Sequence, residues 1–218
     1  MSHPPIPKVR AGFLNPYDRF SELVFGLVMT LSVTGSMAVA THGADTHEFL
    51  WAAIGCNVAW GLVDAVMYLL TALLERKRNK LLVDAMKGAT PEEGLKIQAD
   101  ALPAPFIAVL TPEESDNLRK KLVDGRFPAS MGLVRDDFLA SLGVFLWVVV
   151  GTLPVSLPFA FIRELNVAMR VSNGIAIVLL FVLGFMAGRY SGLGPWRAGG
   201  TMLALGLALV AAVMALGG

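Results

Sequence analysis

Five stretches of this 218-residue chain are apolar over about the length a helix needs to cross a membrane. At 1.5 Å per residue, roughly 20 mostly apolar residues span the hydrocarbon core. The stretches are Phe20–Thr41, Phe49–Leu74, Phe138–Phe161, Val171–Ala187 and Ala198–Leu216. Few other folds accommodate such a pattern, because lipid forces every backbone polar group to be satisfied within the helix. Composition agrees: 16% of residues are charged, against about 25% in an average soluble domain. The expected fold is an all-α integral membrane protein, five transmembrane helices with a cytoplasmic helical insert between spans two and three. The expected organisation is an N-terminal segment over 1–19, helices one and two over 20–74, the insert over 75–137 and helices three to five over 138–218.

Lysine and arginine in the short flanks predict the orientation. Lys8, Arg10 and Arg19 precede the first span, and Arg76, Lys77, Arg78 and Lys80 follow the second. The loop between them, Thr41–Glu48, has neither residue. The N-terminus and the insert are thus expected in the cytoplasm. Later loops do not discriminate, since Arg163 and Arg170 oppose Arg189 and Arg197 in equal numbers. The first apolar run is longer than a signal-peptide core and is read as a retained span. A net charge of +1 gives no basis for nucleic-acid binding, and one cysteine, Cys56, rules out a disulfide framework within the chain.

The insert carries one tetrapeptide twice, Thr90-Pro91-Glu92-Glu93 and Thr111-Pro112-Glu113-Glu114. Each has the form of a capping box, with threonine at the N-cap, proline at the first helical position and glutamate at N3 reaching back. Short helices are predicted to start at Pro91 and Pro112. Eleven basic and eleven acidic residues balance across 75–137, so the insert is not a polybasic lipid-binding arm. The run Phe106–Leu110 is too short to span. In the third span, Pro154 and Pro158 predict a kink or a partly re-entrant segment, with freed carbonyls for neighbours to satisfy.

Polar residues inside the spans are the candidate functional residues, since a charge at the bilayer centre costs about 2.5–3.5 kcal/mol on insertion scales. Asp64 lies deep in the second span. Asn57, Gly61, Asp64 and Tyr68 follow one another at helical spacing on one face, with Met67 beside it. A carboxylate, an amide oxygen and a thioether form a donor set for a divalent cation, the thioether favouring a transition metal. The alternative is a carboxylate held by a neighbouring helix or kept protonated. In the first span Glu22 sits near the cytoplasmic end, followed by Met29 and Thr30; it is either a mouth ligand or an acid stabilised by the helix N-terminus. Gly55 with Ala59, and Gly184 with Gly188, have the small-xxx-small spacing of close helix packing. His42, Asp45, His47 and Glu48 in the first loop, and Glu92, Glu93, Glu113 and Glu114 in the insert, are weaker cation candidates. No phosphate-binding glycine loop, HExxH or serine nucleophile elbow occurs, and no enzymatic constellation is visible.

Three segments resemble the vacuolar iron transporter family. SELVFGLVMTLSVTGS is similar to that family's acid-led first helix, GTLPVSLPF to its helix with a glycine and two prolines, and GRYSGLGPWRAGGTMLALGLALVAAVMALGG to its last two helices. The order of two spans, an insert and three spans is also similar. Glu22 stands where the family has its first-helix aspartate, and Asp64–Tyr68 stands near its second-helix methionine and Gly-Glu-Tyr motif. Leu23 replaces the glycine after the first acid, Met67 stands at the second-helix glutamate, and the prolines are four apart rather than three. The insert lacks the family's repeated Glu-x-x-Glu pairs.

The resemblance implies five-helix protomers that pair as homodimers and export Fe²⁺ or Mn²⁺ from the cytoplasm in exchange for protons. No prosthetic group is implied; the ion is the cargo. In that reading Glu22 and Asp64 bind the ion in turn with protons, Met67 and Asn57 complete the coordination, and Met29 and Tyr68 are secondary. The expected partners are the bilayer, a second copy of the chain, the ion and protons, and the expected location is a bacterial inner membrane. The alternative is a membrane scaffold or partner-binding protein that keeps the fold without transport.

Overall fold

The computed structural model describes residues 16–40, 45–101, 108–124 and 132–217. Among them the chain is helical throughout, with no strand: α1 Pro16–Ala40, α2 Thr46–Gly88, α3 Pro91–Ala101, α4 Pro112–Asp124, α5 Arg135–Ser156, α6 Pro158–Phe161, α7 Leu165–Ser191 and α8 Pro195–Gly217. Four of these helices are long and apolar enough to cross a membrane: α1 over Phe20–Met37, α2, α5 and α7. The protein is thus multi-pass. The fifth expected span corresponds to α8, 23 residues with Arg197 as its one charged side chain. The chain divides into two compact units, one of Met1–Tyr68 with Phe138–Gly218 and one of Leu69–Asp137.

Two boundaries differ from the sequence expectation, and the third span shows the kink that its two prolines predict. The second span was expected to end at Leu74, but α2 runs unbroken for 43 residues to Gly88. Glu75, Arg76, Lys77, Arg78 and Lys80 end the apolar stretch without ending the helix, because Glu, Arg and Lys are good helix formers. The fourth span, expected at Val171–Ala187, belongs to a 27-residue helix that closes on Gly192 in the left-handed region (φ 73°), a cap glycine adopts without penalty. The third breaks at Leu157. Pro158 cannot donate to the carbonyl of Pro154, and the single turn α6 follows. Ser172 of α7 donates to the Val155 carbonyl beside the break at 2.7 Å, the kind of neighbour rescue expected there.

In the membrane unit α1 is the central helix, with 39% of its apolar window buried against 17% for α2. Leu27 and Leu31 of α1 pack with Val155 of α5 and with Ala176 and Leu180 of α7. A second cluster joins Phe49 of α2, Phe159 of α6 and Ala168 of α7, with the two rings stacked at 5.7 Å. Glycines set the closest approaches. A Cβ on Gly184 would meet the Ala198 carbonyl oxygen at 2.7 Å, and one on Gly188 would meet Ala198 Cβ at 2.7 Å. The Gly184–Gly188 pair therefore packs α7 on α8 as its spacing predicts. The Gly55–Ala59 pair does not pack: both residues are exposed and a Cβ on Gly55 would meet nothing within 4 Å. Their spacing alone does not say which face of α2 looks inward.

In the insert unit the repeated tetrapeptide builds two helices, as predicted. Thr90 N–H donates to Glu93 Oε2 at 3.0 Å, and Glu93 N–H donates to Thr90 Oγ1 at 3.4 Å. Thr111 and Glu114 repeat this at 2.9 and 3.3 Å. The helices then cross reciprocally. Gln98 Nε2 donates to the Ser115 carbonyl at 3.0 Å, and Ser115 Oγ donates back to Gln98 Oε1. Gly94 meets Arg119 in turn, a Cβ there standing 2.7 Å from Arg119 Cδ. Counted from their threonines, Gly94 matches Ser115 and Gln98 matches Arg119, so the repeat packs as a pseudo-symmetric pair. At the start of α5, Asp137 accepts from Val134 N–H at 2.7 Å and binds Arg76 through both oxygens at 2.6 and 2.7 Å. Of the Phe106–Leu110 run, residues 106 and 107 lie outside the described residues, and Val109 is exposed.

Candidate functional site

A chain of buried polar side chains joins three helices of the membrane unit. Thr30 Oγ1 of α1 lies 2.8 Å from the Gly26 carbonyl and 2.5 Å from Asn57 Oδ1 of α2, so its one proton serves two acceptors. Asn57 Nδ2 donates to Ser156 Oγ of α5 at 3.2 Å. All three are buried, at 0%, 2% and 0% exposure, which makes this an interhelical connection and not a water-facing surface. Thr34 and Thr152 lie buried nearby in sequence, returning their hydroxyl protons to the Thr30 and Val148 carbonyls at 2.8 Å. Asn57 thus spends its amide on helix pairing.

Asp64 lies two turns further along α2. Trp60 packs against α1, where its Cδ1 would be 3.6 Å from a Cβ on Gly26 and its ring centroid is 6.4 Å from that of Phe25. Gly61 packs against Phe145 and Val149 of α5. The Ala65 carbonyl accepts from Ser141 Oγ of α5 at 2.9 Å. At about 100° per residue, Asp64 points between Trp60 and Gly61, toward the groove between α1 and α5. Its Oδ2 is buried and has no hydrogen-bond partner among the described residues, as is true of Trp60 Nε1 one turn earlier. A carboxylate oxygen in that condition is uncommon, since buried polar atoms are nearly always paired. It presents an acceptor to a proton or a cation.

Glu22 is half-buried on α1, one turn before Gly26. Tyr68 is half-buried on α2. Met29 and Met67 are 37% and 51% exposed, on the outside of the single protomer. Among the described residues no three His, Cys, Asp or Glu side chains come together as a metal site. Of the first loop, His42 lies outside the described residues, and Asp45, His47 and Glu48 are exposed. Glu92, Glu93, Glu113 and Glu114 are exposed on the insert. Glu93 and Glu114 spend their carboxylates on the caps. Hydrogen bonds from the backbone and hydroxyl of Thr90 and Thr111 hold both below the usual glutamate range.

Sequence reasoning missed Thr152, Ser156 and Ser172 as members of the polar interior. Their signal is faint, because a serine or threonine in an apolar helix usually bonds its own preceding turn. The i, i+4 spacing of Thr152 and Ser156 beside two prolines marks a polar stripe in the one span whose backbone is broken.

No curated protein matches the chain. Residues 113–218 match the model of the VIT family. That match covers a little under half of the chain and takes in α5, α6, α7 and α8, including the double-proline and C-terminal segments, while Glu22 and Asp64 lie outside it. Over these residues the chain is similar to the VIT family, which is consistent with the vacuolar iron transporter family that its sequence resembles.

Proposed function

We propose that this protein carries a divalent metal cation, Fe²⁺ or Mn²⁺, out of the cytoplasm in exchange for protons. Similarity over residues 113–218 to a family of membrane metal-ion transporters supports transport in general, and the ion, coupling and direction are our reading. The observation that carries it is Asp64 Oδ2, buried in an apolar helix between α1 and α5 with no hydrogen-bond partner among the described residues. A carboxylate in low dielectric binds a proton and a dication at each other's expense, which is the minimum an exchanger requires. Glu22, on the neighbouring helix, is the second acid in this reading. Asn57 lends rigidity through Thr30 and Ser156, and Tyr68 borders the path.

We further propose five spans with α8 as the fifth, a cytoplasmic N-terminus, and a homodimer in a bacterial inner membrane. The exposed thioethers of Met29 and Met67 favour a homodimer, because a soft ligand on the outside of one protomer contributes to a site only when a second copy closes over it. Proteoliposomes loaded at a different internal pH test the reading. Uptake of Fe²⁺ or Mn²⁺ that collapses with the pH gradient is expected, and no uptake of either ion refutes it.

A second reading, a scaffold that keeps the fold without transport, is favoured by the lack of a three-donor cluster among the described residues. It predicts no stabilisation by Mn²⁺ in detergent. A shift in thermal unfolding that disappears in Asp64→Asn counts against it.

A further inference from the structure

Trp60 carries a buried donor that transport through Asp64 has so far left unused. Its indole Nε1–H is buried without a hydrogen-bond partner among the described residues, and so is the Asp64 Oδ2 acceptor. A buried indole N–H ordinarily finds a partner. Tryptophan in membrane helices is also enriched at the two interfaces, whereas Trp60 lies near the middle of the Phe49–Leu74 stretch.

The neighbours that set the ring in place are apolar. Trp60 Cδ1, the atom bonded to Nε1, would stand 3.6 Å from a Cβ on Gly26, so the N–H edge of the indole is turned to α1. The same point meets Thr152 Cγ2 and Val148 Cγ1 of α5 at 2.9 and 3.5 Å. The Thr152 hydroxyl is spent on the Val148 carbonyl, and the Asn57 amide, about one turn before Trp60, is spent on Thr30 and Ser156. Asp64 follows Trp60 by four residues, and side chains at that spacing are neighbours with Cβ atoms about 5–6 Å apart. Helical side chains tilt toward the N-terminus, so the Asp64 carboxylate leans back over the Trp60 turn. An indole N–H only donates and an ionised carboxylate only accepts. The two unpartnered atoms are complementary, and a change of rotamer brings them together.

We infer that Trp60 is a positioning residue for Asp64, its indole N–H donating to the ionised carboxylate when no cation is bound and yielding that oxygen when one arrives. Such a bond is charge-assisted, so protonation of Asp64 weakens it. The indole is then a competitor for the oxygen that a dication takes. The competition with an ion rests on the transport reading; the pairing of the two side chains does not.

Indole ¹⁵N–¹H spectra of the full chain in detergent micelles test the pairing without any ion. Replacing Trp51, Trp60, Trp147 and Trp196 by phenylalanine in turn assigns the four signals. The Trp60 signal is expected to move as pH falls from about 8 to about 4 and to stay still in Asp64→Asn. The other titratable groups within the spans around Trp60 are Glu22 of α1 and Cys56 and Tyr68 of α2, while α5 has none from Phe138 to Ser156. Asp64→Asn retains all three, and Glu22→Gln should keep the response. A Trp60 signal indifferent to pH, one that still moves in Asp64→Asn, or one silenced by Glu22→Gln would overturn the pairing. Equilibrium binding of Mn²⁺ tests the competition. Trp60→Phe should bind it about tenfold more tightly than the wild type, because the carboxylate loses a charge-assisted competitor, whereas loosened packing would weaken binding. Equal or weaker binding would overturn the competition. A wild type that binds no Mn²⁺ while its Trp60 signal follows Asp64 supports the pairing and counts against the transport reading, so the two fail separately.

Discussion

Alanine at Gly184 should separate α7 from α8, and the structure sets the size of the effect. An added Cβ would lie 2.7 Å from the Ala198 carbonyl oxygen and within 3 Å of the Met202 side chain. Met202 Cγ can rotate away, but Met202 Cβ at 2.9 Å and the Ala198 carbonyl are fixed to the backbone of α8 and cannot. Ordinary contact begins near 3.4 Å, so the helices must part by several tenths of an ångström along a seam that also includes Gly188, Gly199 and Gly206. Overpacking of this kind costs about 1–3 kcal/mol, and the gain in helix propensity from glycine to alanine returns about 1 kcal/mol. The net expectation is a loss of about 0–2 kcal/mol, against a gain of about 1 kcal/mol where alanine meets no neighbour. Gly174 on the same helix supplies the control, because its Cβ would meet nothing within 4 Å and alanine there should be neutral or stabilising. Thermal unfolding in detergent, followed by circular dichroism, separates the two. Equal behaviour of Gly184→Ala and Gly174→Ala would refute the packing account.

Asp137→Asn removes the charge from a bidentate pair with Arg76 while keeping an oxygen for Val134 N–H, and should cost about 1–3 kcal/mol, read as faster hydrogen exchange at the start of α5. Thr90→Ala and Thr111→Ala should each lower helix stability by about 0.5–2 kcal/mol, seen as lost exchange protection confined to α3 and α4 respectively. Acid should act on the same two caps. Glu93 and Glu114 are held below their ordinary values, so their contribution is complete above the unfolded value of about 4.3 and fades as pH falls through the lower folded value; exchange protection in α3 and α4 that is indifferent to acid over that range would contradict it. Ser172→Ala withdraws the donor from the Val155 carbonyl and should cost about 0.6–1.7 kcal/mol, measured by unfolding in detergent.

The two capped helices were legible because a capping box is complete within four residues and needs no tertiary partner. The polar stripe of α2 was legible as periodicity, and Asp64 as the one acid far from either end. The continuation of α2 to Gly88 was not, since Glu75 to Lys80 report where lipid ends and carry no instruction to stop a helix. Nor was the role of Asn57: its partners Thr30 and Ser156 lie 27 and 99 residues away, and no local spacing pairs an amide with hydroxyls on two other spans. Gly55 and Gly184 have equal small-xxx-small patterns, yet only one packs within the protomer, because the pattern permits close approach and the neighbouring helix decides it. The sidedness of the arginines was undetermined by counting. The contact of Phe20 with Tyr190 groups Arg189 and Arg197 with the start of α1, but Arg163 and Arg170 balance them, so the proposed orientation rests on the first two spans alone.

The central claim is that the buried Asp64 carboxylate handles the ion, and transport by Asp64→Asn in proteoliposomes tests it most directly. Asparagine keeps the shape and volume between α1 and α5 but cannot carry the charge that a proton and a dication compete for. The account predicts wild-type uptake of Fe²⁺ or Mn²⁺ driven by the pH gradient, and uptake by a folded Asp64→Asn protein at the level of empty vesicles. Equal uptake by the two proteins would contradict it.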